Sequence, residues 1–573
     1  MTSYHHASEL SEHADAQFAL VAQAALDDLL LRQPVRATAM GDHRFDGLLP
    51  DLSTAGQEEF ADVIDDHITV LDALDDTELG LGAQLDFETV RSALARAAFE
   101  VREVARPHWD PLVWNPGDAL WQLLSRETLE TDDLARALIG RLRSIPEWLA
   151  VGRQTLGAVS RIHAETAVSQ LQGCAQLLGT PIDRVIARDA ELGRSLSRAR
   201  DTAAEALAVH LAWVQGRVAA DDRLDVDPRF GSNKYAAALW HMLDGGADVE
   251  SLHSYASRAL EDTQAALTEV AAMYLDEPET APELVTRALN AAAESGAVRA
   301  ETVLPIASDA LRAVTEFARE HDLVTIPEDV VEVVAMPEIH RGVAVAYCDA
   351  PGVFERTQLP TRFCVAPPPD AWPSDRKASF YREYNAHMLH SLAVHEGVPG
   401  HALQLAHGRQ SCGPTKWRQA FSNGAFVEGW AVYAEELVAA HEYPGVDVSN
   451  GDLAYTLTWL KMRLRSIINL LLDIGVHAHG MSEAEAMHLL VSVGHQEIGE
   501  ATGKWRRALL TAGQLSTYFA GYLEVSAISA DLQAMHPEFG LRQVHDTMLM
   551  FGSPSPRVLR QALGLPEVLV PGR

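Results

Sequence analysis

The stretch Ala393-Val394-His395-Glu396-Gly397-Val398-Pro399-Gly400-His401-Ala402-Leu403-Gln404 decides how the rest of the chain is read. Two imidazoles bracket a carboxylate in it, and Val427-Glu428-Gly429-Trp430-Ala431 adds a second carboxylate downstream. Two His and one Glu are the donors of a hydrolytic zinc site, and a Glu directly after the first His is placed to act as base. The spacing is the difficulty. In the usual H-E-x-x-H signature the two His stand four residues apart, about 400° of helical rotation, and face one ion. Here they stand six apart. A straight helix would leave the second ring roughly 120° off the first and about 9 Å along the axis, so one unbroken helix cannot gather them. Pro399 lacks an amide donor and Gly400 takes backbone angles that other residues avoid. Together they predict a bulge or break that swings His401 back.

Written as H-E-x-x-P-G-H followed by E-G-W-A, these motifs resemble the bacterial domain-of-unknown-function family numbered 885, regarded as zinc-peptidase-like. Other segments fall in that family's order. Pro34-Val35-Arg36-Ala37-Thr38-Ala39-Met40-Gly41-Asp42-His43 looks like its opening segment, and Arg341-Gly342-Val343-Ala344-Val345-Ala346-Tyr347 like the stretch before its metal helix. Beyond the site come Asp473-Ile474-Gly475-Val476-His477, then Gly513-Gln514 with Tyr518 and Gly521, then Val544-His545-Asp546 with Gly552 and Pro554. The resemblance runs from about residue 20 to the end, and Ala512 stands where the family usually has Pro. It implies a mainly α, helical zincin-like metallopeptidase architecture. Zn2+ would be held by His395, His401 and Glu428, with Glu396 as base. Tyr518 and His545, in segments resembling the family's C-terminal motifs, would be donors to an oxyanion.

The composition is that of an ordinary globular protein: 573 residues, 47% hydrophobic and 22% charged, enough to bury a large core. We expect two lobes enclosing one cleft, a helical lobe over 1–226 and a second over 227–573. A net charge of −34 with a pI near 5.0 argues against nucleic acid and anionic membranes, which reward clustered Lys and Arg. Cys174, Cys348, Cys364 and Cys412 are widely spaced without a C-x-x-C pair, so neither a disulfide framework nor a thiolate zinc site is expected. The run Ile467 to Val476 is interrupted by Asn469 and Asp473 and is too short to span a bilayer. With no secretory signal visible, cytoplasmic residence is the expectation.

Taken in order, residues 8–33 show helical periodicity that stops at Pro34. Gln57–Asp75, Gln84–Arg106, Asp132–Leu156 and Arg161–Leu178 each keep an apolar stripe, and a helix entered at Thr180-Pro181 runs to about Ala219. Asp227-Pro228-Arg229-Phe230-Gly231 reads as a turn and hinge before Ala-rich helices over 234–320. Between about 327 and 367 the β-branched and aromatic runs Val330–Val334, Gly342–Tyr347 and Thr361–Val365 predict a small antiparallel sheet. One of its strands would bind extended substrate by edge pairing, or the sheet would merely cap the core. Residues 378–396 are expected to form the helix that delivers the metal ligands, and Asn423–Ala439 the one carrying Glu428, so that the metal site spans about 378–440.

Other polar residues near the site are read as supporting. His387, His390 and His407 are expected at the surface or behind the ligands. Glu435, seven residues after Glu428 and on a similar face, is a partner for a ligand imidazole or an exposed Glu, the second being preferred. Asp473 and His477, four apart, form a helix pair or a catalytic dyad, and Arg465 is a site for a substrate carboxylate. The reaction these residues suggest is hydrolysis of a short peptide. The alternatives are a non-peptide amide or ester, or a non-catalytic helical binding protein with a structural metal.

Overall fold

The computed structural model describes residues 2–566 except 126–127, 189, 246–247, 330, 337–345, 357, 370–371 and 411–414. Val330, Arg341–Val345 and Cys412, named above, lie outside the described residues. Helices account for 71% of the chain, so the mainly α class holds. By its contacts the chain divides into two units, the first being Met1–Pro228 with Pro351–Leu359 and the second Arg229–Ala350 with Pro360–Arg573.

The first unit contains α1 (Thr2–Arg32), α2 (Thr54–Asp72), α3 (Leu81–Phe99), α4 (Thr131–Thr155), α5 (Arg161–Leu177) and α6 (Ala190–Ala220). Pro34 ends the α1 pattern and opens a short helix, Pro34–Ala39, at the position where a missing amide costs nothing. The helix expected from Thr180 is two pieces, Thr180–Ile186 and then α6. The segment Pro34–His43 is tied down here: His43 Nδ1 lies 2.8 Å from Asp46 and Nε2 3.2 Å from Glu355. The Asp46 hydrogen bond, outweighing burial, raises the His43 pKa to about 9.

The second unit's principal elements are α7 (Ser232–Leu243), α8 (Val249–Leu275), α9 (Val303–Glu320), β1 (Val331–Ala335), β2 (Ala346–Asp349) and β3 (Thr361–Val365). There follow α10 (Ala386–Leu392), α11 (His401–Gln410), α12 (Gly424–Ala440), α13 (Gly451–His477), α14 (Ile498–Leu510), α15 (Ser516–Met535) and α16 (Leu541–Leu549). The sheet differs from expectation. Its order is β1-β3-β2, with β1 parallel to β3 and β2 antiparallel to it, so it is mixed. Composition marks strands but not which one becomes central; β3, the most buried, takes that place and, among the described residues, leaves β1 and β2 as edges. The helix expected over 378–396 is also broken, because Asn385 leaves helical angles to cap α10 with its side chain.

One hydrophobic core joins α9, α10, α12, α13 and α15 through Leu311, Leu389, Phe426, Trp430, Ile467 and Phe519. α12 and α15 cross at Gly429 and Gly521. A Cβ at Gly429 would lie 2.3 Å from the Gly521 carbonyl carbon, and one at Gly521 2.0 Å from the Ala425 oxygen. Only two glycines let these helices approach so closely, and that approach sets Glu428 and Tyr518 beside one another's helices.

Candidate metal centre

The interruption predicted between His395 and His401 has a definite form. After α10 the backbone widens into a π-helical turn, Ala393–Gly397, closed by Val398 N–H donating to the Ala393 oxygen at 3.1 Å. The Val398–Pro399 peptide is cis, Gly400 N–H donates to the Val394 oxygen at 3.0 Å, and α11 begins at His401. A Cβ at Gly400 would stand 2.0 Å from the His395 oxygen and 2.3 Å from that of Val394, so the turn can close only on glycine. Trp430 locks it from outside, its Nε1 donating to the Pro399 oxygen at 2.8 Å. The Glu-Gly-Trp motif thus supplies a candidate ligand, a close helix crossing and a clamp on the broken turn.

The three candidate ligands come together. One ligand atom each from His395, His401 and Glu428 lies within 4.8 Å of the others. His395 Nε2 is 3.7 Å and His401 Nε2 3.6 Å from Glu428 Oε2. Donors about 2.0–2.2 Å from one tetrahedral zinc are roughly 3.4 Å apart, so the spacing suits such an ion. Glu428 Oε2 is buried and has no hydrogen-bond partner among the described residues. An unsatisfied buried carboxylate oxygen facing two imidazoles is what a cation would complete.

Burial by itself would lower the His395 pKa, but the facing carboxylate of Glu428, the Glu435 hydrogen bond and the nearby Glu396 charge push it well above its ordinary value. Burial likewise favours neutral Glu428, and the two imidazoles outweigh it, holding that carboxyl well below the usual range. Glu435 corrects the expectation of an exposed residue. It is 1% exposed and its Oε1 lies 2.6 Å from His395 Nδ1, which fixes the ring so that Nε2 points at Glu428. The seven-residue offset from Glu428 was the available signal; what it lacked was evidence that both faces of α12 are covered.

Glu396 follows His395 and accepts the Cys348 N–H of β2 on Oε2 at 2.9 Å. The Tyr518 ring stacks on His395, with centroids 6.4 Å apart, and Arg507 Nη2 reaches the phenol oxygen at 3.3 Å. His545 is not brought to this group. Its Nδ1 lies 2.6 Å from the Leu323 oxygen and its Nε2 2.9 Å from the Tyr433 hydroxyl, with Trp430 packed edge-on. Burial lowers its pKa to about 4, and with Asp546, which accepts from Thr325 at 2.9 Å, it ties α16 to the loop after α9.

His387 and His390 are buried, not at the surface, because every residue of α10 is covered. Desolvation lowers both to about 4, and they meet Ser295 and Tyr443. His407 lies 2.6 Å from the Thr325 oxygen. Arg465 is occupied by Glu500 and by Tyr384 at 3.1 Å. Among the described residues Cys174, Cys348 and Cys364 form no disulfide. No helix among the described residues is long and apolar enough to cross a membrane.

A family model described as "Bacterial protein of unknown function (DUF885)" matches residues 34–563. Among solved structures, a "putative lipoprotein of unknown function" from Shewanella oneidensis superposes with a TM-score of 0.81 at 25% identity, over 95% of this chain and 99% of that one. Another "putative lipoprotein", from Colwellia psychrerythraea, gives 0.79 at 16% identity, over 96% and 98%. An M32 carboxypeptidase from Deinococcus radiodurans R1 reaches only 0.33 at 10% identity, over 85% of this chain and 95% of that one, too distant to bear on fold or function. No curated protein matches.

Proposed function

The chain belongs to that bacterial family of unknown function, and on this footing we propose that it is a zinc-dependent hydrolase, a metallopeptidase of short peptides. The supporting observation is the convergence of His395 Nε2, His401 Nε2 and the unsatisfied Glu428 Oε2, with Glu396 next in sequence to a ligand. The chemistry that Zn2+ would supply, held by these three side chains, is polarisation of a carbonyl oxygen and a water made acidic enough to react near pH 7.

The chain's own residues do the rest. Glu396, with Oε2 held by the Cys348 amide, takes the water proton on its other oxygen and delivers it to the leaving amine. Tyr518 accepts from Arg507 at its phenol oxygen, which leaves its own proton free to meet the oxyanion. Glu435 keeps His395 in the required tautomer. Since the Cys348 N–H serves Glu396, it points away from β3. The Ala346 N–H and C=O, two residues back, then lie on the same outer edge of β2, where an extended peptide can pair with them. Cytoplasmic residence is part of the proposal, in keeping with described cysteines that form no disulfide with one another, and recovery of the chain with membranes on cell fractionation would overturn that part.

The test is elemental analysis combined with a screen of peptides, esters and non-peptide amides. We expect one zinc per chain and a Glu396→Gln variant that keeps its zinc while hydrolysis falls by about 10²–10⁴. Purified chain that takes up no zinc, or a Glu396→Gln variant running at the full rate, overturns the proposal.

A further inference from the structure

Past Tyr518 the site continues into a cluster of charge. Arg507 on α14 spends Nη2 on the Tyr518 oxygen at 3.3 Å and on Gln514 Oε1 at 2.6 Å. Its Nη1 and Nε make no hydrogen bond among the described residues. Three residues earlier, on the same face of α14, Lys504 is 8% exposed. The carboxylates that act on it are turned to other cations. Glu500 accepts from the Tyr384 hydroxyl at 2.8 Å and from Arg465, and Glu383 accepts on Oε2 from Lys461 at 2.8 Å and from the Glu497 amide at 3.2 Å, while its Oε1 lies 3.7 Å from Arg465 Nη1 and makes no hydrogen bond among the described residues. Among the described residues the Lys504 ammonium has no hydrogen-bond acceptor. Burial, reinforced by repulsion from Arg465 and against the pull of Glu500, lowers its pKa to about 7.

A lysine that is nine-tenths buried while its ammonium has no protein acceptor is rare. Two cationic groups with unspent donors, one turn apart and reached from the metal ligands through Tyr518, match the two oxygens of a carboxylate. We propose that Lys504 and Arg507 receive a carboxylate of the substrate, so that the hydrolase acts on short peptides bearing a free C-terminus or an acidic side chain near the scissile bond. This rests on the hydrolase reading given above. Arg465, whose guanidinium is taken up by Glu500 and Tyr384, positions the walls of the cluster and does not share in it.

The test is calorimetric binding to the zinc-loaded Glu396→Gln chain of three probes: N-acetyl-trialanine, its C-terminal amide, and an N-acetyl tripeptide amide ending in glutamate. At least one acid should bind ten-fold or more tightly than the neutral amide, and which acid does so identifies the source of the carboxylate. Adding Lys504→Met should abolish that preference, leave the affinity for the neutral amide unchanged, and not lower the Tm, because it removes a charge that has no acceptor within the protein. Arg507→Gln, at a half-buried position, should weaken the same preference. Equal binding of acids and amide, or a preference that survives in both variants, overturns the proposal. A preference that persists in a wild-type chain hydrolysing no peptide would instead refute the hydrolase reading and leave the carboxylate site standing.

Discussion

The second unit holds two buried meetings of imidazole and carboxylate, and they are built in opposite ways. In one, Asp473 Oδ1 accepts from Gly513 N–H at 3.3 Å, and Oδ2 accepts from Ser516 N–H at 3.1 Å and Oγ at 2.8 Å. Its partner His477 accepts the Phe230 N–H on Nδ1 at 3.3 Å and donates from Nε2 to the Ala508 and Thr511 oxygens, both at 2.8 Å. Every polar atom is used, and the pair braces the start of α15. In the other, His395, His401 and Glu428 face one another at 3.6 and 3.7 Å while Glu428 Oε2 makes no hydrogen bond. Leaving a buried polar atom unpaired costs about 1–3 kcal/mol. Unspent donor atoms, not residue type, separate a ligand set from a brace.

The sharpest way to break this contrast is to remove one carboxylate from each. Glu428→Ala should lower zinc affinity by roughly 100-fold or more while the chain stays folded, since a ligand is lost and a buried charge goes with it. Asp473→Ala should keep zinc in the folded fraction but lose about 3 kcal/mol or more in urea unfolding, because three donors are orphaned. Zinc loss from a stable Asp473→Ala chain would erase the distinction. Next in size, Glu435→Gln should weaken zinc binding about 10–100-fold with little change in unfolding, as expected for a group that orients a ligand ring.

Gly400→Ala probes the turn itself. The added methyl meets two backbone oxygens, so a loss of about 1–3 kcal/mol, accompanied by weaker zinc binding, is expected in a combined unfolding and metal titration. The smallest effect concerns Lys504, whose folded pKa of about 7 lies below its ordinary 10.5. Between those values the unfolded chain holds more protons, so this group makes stability rise with pH across that window. Lys504→Met should therefore raise the Tm more at pH 6 than at pH 10 by scanning calorimetry. An equal shift at both would show that the ammonium is not disfavoured by burial.

Much of this molecule is local in origin. Apolar spacing along each segment suffices to make the chain mainly helical, since periodicity is carried by a single stretch. The order His395, Glu396, Pro399, Gly400, His401 likewise requires an interrupted helix whatever surrounds it, and the π-helical turn at Ala393–Gly397 meets that requirement. What needed the tertiary structure is whatever depends on two distant stretches meeting. β3 became the central strand, Glu435 was buried against His395, His545 was spent on Leu323 and Tyr433, and Arg465 was taken by Glu500. A side chain's type is written in the sequence, but which of its atoms remain unpaired depends on neighbours hundreds of residues away. That is why the donors were legible early and their roles were not.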